Sequence, residues 1–434
     1  MPKSASRVCV IGAGPCGLAT IKNLLAQDIR NVVVFEKNNQ LGGNWIYDEN
    51  NHHSSVYETT HLISSKHLSS FEDFPMPDDY PDYPSHHQVL NYFKAYAAHF
   101  ALVPYIKFNT EVLEVKYKPT LSHWELSYAD EHGHHTEIFD YVLVANGHHW
   151  SPFTPQYPGE FRGEILHAHS YKNAAPFKHK KVLIVGAGNS ACDIAVDIAR
   201  VASSTTVSTR QGQHIFPKFI FGKPTDVLYR KIAWLPFRVQ QQLAKWVLRI
   251  VQGRYAKYQL PNPINKPLST HPTINSELLY FIRHGKIKIR GKIQSFDKDT
   301  VHFSDGSCEE FDTVIFATGY MIDFPFFEAT FLDYRQAQEI PLYLKMMHPE
   351  LENLYFIGLF QPQGCIWPLA DHQARLAAQI IAGKLQRPAN VLAKIQKESA
   401  RSKQRFDGSP RHVPEVDCRR FRKQLLQELG RVIN

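Results

Sequence analysis

Apolar runs of three to five residues recur along this chain, each closed by glycine or by polar residues. They fall at 7–11 (RVCVI), 32–35 (VVVF), 141–145 (YVLVA), 181–185 (KVLIV), 313–317 (TVIFA) and 355–357 (YFI). Runs this short, with no polar alternation, suit strands buried on both faces, as in parallel sheets covered by helices. Between them, apolar positions at helical spacing predict helices over 15–26, from the turn at 186–191 to about 199, and over 371–382, where Gly383 is the expected stop. A further helix is predicted over 88–100 from Val89, Tyr92, Phe93 and Tyr96. Alternating segments at 111–117 and 123–128 read as half-exposed strands. Pro152, Pro155, Pro158 and Gly159 break regular structure and mark a domain exit. Residues 50–87, rich in His, Ser, Asp, Pro and Tyr, are too aromatic for a disordered linker and predict an ordered, irregular wrap.

Two of the apolar strands run straight into glycine turns. The first continues as Gly12-Ala13-Gly14-Pro15-Cys16-Gly17, then a helix, then the strand 32–35 ending in Glu36 and Lys37. Strand, GxGxxG, helix, strand and acid, in that order, are what a dinucleotide site requires. Gly12 permits the tight turn, Gly14 lets backbone approach a pyrophosphate, and Gly17 allows close helix packing. The second unit repeats the order with Gly186-Ala187-Gly188-Asn189-Ser190-Ala191 and a strand ending in Ser208, Thr209 and Arg210. A carboxylate at the strand end accepts ribose hydroxyls and repels a 2′-phosphate, whereas hydroxyls and a guanidinium attract one. The first site is therefore expected to take FAD and the second NADPH. Thr318-Gly319-Tyr320 after 313–317 echoes Asn146-Gly147-His148 after 141–145. The expected fold is α/β, with two doubly wound Rossmann-like dinucleotide-binding domains and a discontinuous FAD domain. Its parts are placed at 1–165 and 301–434, around an NADPH domain at 166–300 with a helical insertion at 226–290.

That insertion is amphipathic. Leu228, Ile232, Leu235, Leu243, Trp246, Val247 and Ile250 form its apolar side, and Arg238, Lys245, Arg249 and Arg254 supply charge. It reads as a helical lid over the second domain, with a membrane-surface helix as the alternative.

Composition narrows the functional classes. The 434 residues are 43% hydrophobic and 21% charged, with a net charge of +8. The positive balance raises nucleic acid as a partner, but no nucleic-acid-binding motif accompanies it, whereas two polyanionic cofactors suit a positive field. The six cysteines show no CxxC spacing, so a metal site or redox dithiol is not expected, and a reducing, cytoplasmic compartment is. The histidine pairs His52-His53 and His86-His87 lack the spacing and acid that a metal would ask for. No apolar window is long enough for a transmembrane span, the start lacks a signal-peptide pattern, and the tail RRFRKQLLQELGRVIN is charged and amphipathic rather than an anchor. Nothing in the sequence decides between a monomer and a homodimer.

With these motifs in view, the chain resembles the flavin-containing monooxygenases over nearly its whole length. The resemblance rests on GAGPCG (12–17), GGNW (42–45), FRGEILHAHSY (161–171), GAGNSA (186–191) and FATGY (316–320). It implies FAD, reduction by NADPH, and transfer of one oxygen of O2 through a flavin C4a-hydroperoxide to a soft nucleophile, an amine nitrogen or a sulfide of a small molecule. It also implies that Gly43, Asn44 and Trp45 contact the flavin, and that the late segment brings Gln363 and Asp371 toward its pyrimidine end. His167 and Tyr171 of FxGxxxHxxxY would organise a hinge between the domains, Tyr171 standing where Baeyer–Villiger relatives usually have Trp. One departure matters: Ile63 occupies the place of the family's usual Asn near the flavin. Its role would pass to His61, Ser64 or Ser65. The same scaffold oxidising ketones, an uncoupled NADPH oxidase, and a non-catalytic nucleotide sensor are the rival possibilities.

Overall fold

The computed structural model describes residues 6–50, 53–405 (backbone alone from 402) and 414–430. His52 and the last four residues of the tail lie outside the described residues. Two compact units emerge: Met1–Ile46, Lys66–Ser151 and Met321–Asn434 form the first, and Tyr47–Ser65 with Pro152–Tyr320 the second.

The first unit is built on a five-stranded parallel sheet in the order Leu354–Phe356, Tyr141–Val144, Val8–Ile11, Val32–Phe35, Ile106–Lys107. Val8–Ile11 is buried along its whole length, as an uninterrupted apolar run in a sheet covered on both faces should be. The chain leaves it for Val32–Phe35 on one side and returns to its other side only with Tyr141–Val144, so a crevice opens at the carboxyl ends of the strands, where the first glycine turn lies. A three-stranded antiparallel meander, Glu111–Lys118, His123–Asp130 and Gly133–Phe139, contributes fully buried Trp124 to a core shared with Phe35, Phe139, Phe326 and Phe356.

The second unit repeats the plan with the order Ile287–Arg290, Ser204–Ser208, Lys181–Val185, Thr313–Phe316, Glu164–His167, all parallel. Two departures from the sequence-based boundaries follow. Thr313–Phe316 pairs with Lys181–Val185, so FATGY completes the second sheet and does not return to the first. Glu164–His167 is the outer strand of that same sheet, so the segment expected as a hinge is an integral strand of the second unit. The first half of the insertion expected at 226–290 is mostly helical, as Thr225–Ile232, Phe237–Gln252 and a 3-10 turn at Tyr255–Tyr258. After it, helix Leu278–Arg283 and strand Ile287–Arg290 rejoin the sheet.

The predicted helix at 88–100 begins slightly earlier, as His86–His99. Ser85 accepts from Gln88 N while the Gln88 side chain accepts from Ser85 N, a capping box. The irregular stretch before it is held by Lys66, whose Nζ donates to the carbonyls of Asp78 (2.7 Å) and Tyr80 (2.5 Å). No helix among the described residues is long and apolar enough to cross a membrane.

Asp371 turns out to be structural. It is 2% exposed in helix Trp367–Ile381 and binds Lys22 Nζ at 2.6 Å and Asn23 Nδ2 at 2.7 Å on the first helix, Pro15–Leu25. Removing one partner from a buried pair leaves the other charge uncompensated. Asp371→Ala leaves Lys22 with only the more exposed Asp73. The expected loss is about 3 kcal/mol in denaturant unfolding with intact secondary structure by circular dichroism.

Candidate functional site

The first cradle follows from steric facts at three glycines. Gly12 has φ 101°, and a Cβ there would come within 2.8 Å of the Ala145 carbonyl oxygen. A Cβ on Gly17 would lie 2.0 Å from the Gly12 oxygen, so only glycine lets the helix pack on its own turn. Gly14 precedes Pro15–Leu25 with no side-chain cap and no acid in the first turn. The leading N–H groups are thus left for an anion, in the field of the helix dipole. Gly43 lies directly against Gly14, where a Cβ would meet Gly43 Cα at 3.6 Å. Asn44 and Trp45 follow half-buried, Trp45 edge-on to Trp367 at 5.8 Å.

Glu36 is 4% exposed. Its Oε2 accepts from Ala13 N at 2.7 Å, and its Oε1 from Asn38 N (2.9 Å) and Nδ2 (2.8 Å). The carboxylate therefore fixes the turn as well as marking the strand end. Lys37 is exposed, its ammonium 5.4 Å from the Trp150 ring. Gln363 is half-buried just ahead of helix Trp367–Ile381. The uncapped helix start, backbone room and buried acid suit a dinucleotide such as FAD.

One feature of the first unit was not anticipated. His148 and His149 follow strand Tyr141–Val144, beside Gln361, and burial pushes them down to about 3 and about 4 respectively. His148 Nε2 has no hydrogen-bond partner among the described residues. The signal was in the sequence, in the NGHHW that closes the strand, but Gly147 drew attention as an echo of Gly319 instead.

The second cradle has the same backbone logic and a different chemistry. Gly186 has φ 136°, and a Cβ there would lie 2.4 Å from the Ala317 oxygen. Gly188 precedes helix Asn189–Ile198 without a side-chain cap, and a Cβ on it would meet nothing within 4 Å, so space lies before the helix start. Ser190 stands half-exposed there. Asn189 is otherwise engaged: its Oδ1 accepts from Ile274 N (2.7 Å) and its Nδ2 donates to Pro272 O (3.3 Å). Ser208 Oγ donates to Gly291 O at 2.7 Å. Arg210 is exposed and makes no ion pair among the described residues, which leaves its guanidinium for a phosphate. Thr318 donates to the Phe153 carbonyl, and Gly319 (φ 89°) has open space where a side chain would stand.

Segment 47–65 belongs to the second unit and is tied to the helix Asn189–Ile198. Tyr57 donates to Asp193 (3.2 Å) and Thr59 to Asp197 (3.3 Å). Asn275 also donates to Asp193, at 2.6 Å, and Lys172 Nζ binds Ser54 O at 2.6 Å. Tyr171, 1% exposed, donates to Asp197 at 2.6 Å and packs edge-on against Tyr57. Within this segment His61 is exposed with Nδ1 2.8 Å from Thr59 O, Ile63 is half-buried, and Ser64 and Ser65 are buried. Ser65 N donates to Asp226 at 2.6 Å, while its Oγ has no partner among the described residues. His167 is 9% exposed and accepts from His169 N at Nδ1, while its Nε2 has no hydrogen-bond partner among the described residues; burial lowers it to about 4.

Three histidines held neutral by burial make a stability prediction with a definite sign. Each has a folded-state pKa below its ordinary 6.5, so the unfolded chain binds the extra protons between those values. The contribution is complete above about pH 6.5 and is lost as pH falls from there toward 4. The thermal midpoint should drop between pH 7 and pH 5, and His148→Gln should flatten that slope.

Two parallel sheets, each with an uncapped glycine-rich helix start at its strand ends, define a two-dinucleotide oxidoreductase. The family model described as FMO-like, flavin-binding monooxygenase-like, matches residues 5–433. Flavin-containing monooxygenase 5 of Rattus norvegicus is 36% identical over 95% of this chain and 80% of its own length. Dimethylaniline monooxygenase [N-oxide-forming] 2 of Cavia porcellus is 32% identical over 98% and 83%. Among solved structures, the S-allyl-L-cysteine S-oxygenase of Allium sativum superposes with a TM-score of 0.74 at 21% identity, covering 98% of this chain and 89% of that one. Cyclohexanone monooxygenase of Rhodococcus sp. Phi1 bound to NADP+ gives 0.74 at 16%, covering 98% and 97%. The chain belongs to the flavin-binding monooxygenase-like family: it is an NADPH- and O2-dependent oxidoreductase that uses FAD.

Arg210→Ala should raise the KM for NADPH roughly 10- to 100-fold, the loss of charge-assisted phosphate bonds, and leave the KM for NADH nearly unchanged. Steady-state kinetics with both nucleotides checks it. An equal rise for both would remove Arg210 from the 2′-phosphate.

Proposed function

We propose that the enzyme transfers one oxygen atom of O2 to a soft nucleophile, an amine nitrogen or a sulfide sulfur, of a small organic molecule. The observation that carries the substrate class is Tyr171. Its phenol is buried and bonded to Asp197, where the ketone-oxidising relatives usually carry Trp, a side chain with no hydroxyl to make that bond. FAD, once reduced by NADPH, supplies the activation of O2. The chain's own residues bind and exclude. In this proposal Gly12, Gly14, Gly17, Gly43, Asn44 and Trp45 hold the flavin dinucleotide, with Glu36 and Lys37 at its ribose end and Gln363 toward its ring. Gly186, Gly188, Ser190 and Arg210 hold NADPH, with Asn189 and Ser208 bracing the backbone beside them and Thr318 and Gly319 completing the turn.

Ile63 favours a second reading, in which reducing equivalents leak to O2 as hydrogen peroxide, because its side chain donates no hydrogen bond. Ser64, Ser65 (its buried Oγ free of partners among the described residues) and His61 are the nearest donors along the chain. Six free cysteines, three of them buried, support a reducing, cytoplasmic setting.

The deciding experiment follows NADPH and O2 consumption by the flavin-loaded enzyme with dimethylaniline, methyl phenyl sulfide or cyclohexanone, and measures both product and peroxide. N-oxide and sulfoxide in near-stoichiometric yield support the proposal. Lactone from cyclohexanone as the main product would replace it with ketone oxidation, and peroxide equal to NADPH consumed would replace it with an oxidase. Ile63→Asn should lower the peroxide fraction; an unchanged fraction would mean that position 63 does not control coupling.

A further inference from the structure

Helix Phe237–Gln252 is apolar on two faces. Its inward face packs Phe237, Ala244 and buried Leu248 on a small cluster with Phe216 and Leu268, and buries Gln240 and Gln241 beside them. Gln240 is fully satisfied there: it accepts from Tyr229 Oη at 2.7 Å and donates to Leu235 O at 2.7 Å and Ala233 O at 3.2 Å. The outward face is apolar. Val239, Leu243, Trp246 and Ile250 stand at i, i+4, i+7 and i+11, one straight row, with Trp246 66% and Ile250 73% exposed. Trp234, at the end of the preceding turn, is 71% exposed. The inner face already has its own apolar cluster, so this second, outward row is left over and calls for a covering surface.

Charge says what kind. From Val227 to Ser276 the chain has eight Lys and Arg and no Asp or Glu. Since the whole chain is 49 − 41 = +8, this stretch carries 8 − 0 = +8 and the remainder carries 41 − 41 = 0. All eight side chains are exposed, and none forms a salt bridge among the described residues. Arg238, Lys245 and Arg249 each precede a member of the apolar row by one position, which places them about 100° around the helix, beside the row. Their stems can lie along an apolar surface while the charged heads stay in water.

We propose that this face docks on an anionic lipid surface, with Trp246, Ile250 and Trp234 entering the headgroup boundary and the flanking Arg and Lys meeting lipid phosphates. An amphipathic helix with Trp on one side and Lys or Arg beside it has the composition of an interfacial helix. A second copy of this chain is the poorer occupant. A two-fold interface sets the same patch against itself, bringing eight cations from each side together with no acid between them.

The test is sedimentation of the purified, flavin-loaded full chain with vesicles of phosphatidylcholine alone or mixed with phosphatidylglycerol, at low and high salt. The proposal expects at least about tenfold more protein on the anionic vesicles, reversal by salt, and a blue shift of tryptophan emission on binding. Arg238→Glu with Lys245→Glu and Arg249→Glu should abolish the anionic preference, and Trp246→Ser with Ile250→Ser should lose the emission shift and most of the binding. Both sets should keep the wild-type melting temperature and NADPH-driven flavin reduction, since neither touches the cradles. Equal pelleting on both vesicle types, or none on either, overturns the proposal. A light-scattering mass that falls from dimer to monomer in the Trp246→Ser, Ile250→Ser variant, without vesicle binding by the parent, overturns it in favour of a second copy.

Discussion

Everything chemical in the first unit depends on a missing methyl group. The Gly12 carbonyl oxygen lies where a side chain at Gly17 would have to stand, so the turn and the helix it launches can touch only as bare backbone. That contact aims the first N–H groups of Pro15–Leu25 into the crevice at the strand ends, and Glu36 closes the arrangement by accepting from Ala13 N. The second unit reaches the same end by a different glycine, with Gly186 set against the Ala317 carbonyl. What differs is the group at the end of the neighbouring strand: a buried carboxylate in one unit, an exposed guanidinium in the other.

Glu36 illustrates how one residue serves structure and recognition together. Its two oxygens already accept from three N–H groups of its own unit. A substitution meant only to change ribose recognition would leave Ala13 N and Asn38 without their acceptor, loosening the turn that faces the pyrophosphate. Arg210 carries no such double duty, which makes the second cradle the one whose nucleotide preference can be altered without disturbing its backbone.

Most of the fold was legible because short, fully apolar strands and glycine turns are local signals. Val8–Ile11, Val32–Phe35 and Lys181–Val185 lie where their hydrophobic runs put them. What the local signals did not carry was pairing. The strand 313–316 has the apolar pattern of either sheet, and only its register against Lys181–Val185 assigns it to the second. Asp371 looked like a cofactor contact from its position after a late glycine, yet its partners are Lys22 and Asn23, nearly the whole chain away. Buried His148 and half-buried His149 went unread because their surroundings, not their residue type, are what make them unusual. The outward row on Phe237–Gln252 was visible as a periodicity, but periodicity does not say which side faces in; the satisfied amide of Gln240 does.

The way the chain is divided between its units has a consequence for how the protein is made. All five strands of the second sheet lie between residues 164 and 316, so that sheet can close while the chain is still being synthesised. The first sheet starts earlier and finishes later, because its outer strand, Leu354–Phe356, pairs with Tyr141–Val144 only after the whole second unit has emerged. Until then Tyr141–Val144, an apolar strand, has one edge unpaired, and such edges invite pairing with other chains. The nascent protein therefore passes through an interval with one finished unit and one open edge, an interval that pulsed proteolysis of chains truncated near residue 330 and freed from the ribosome would reveal as a protected second unit and a cleavable first.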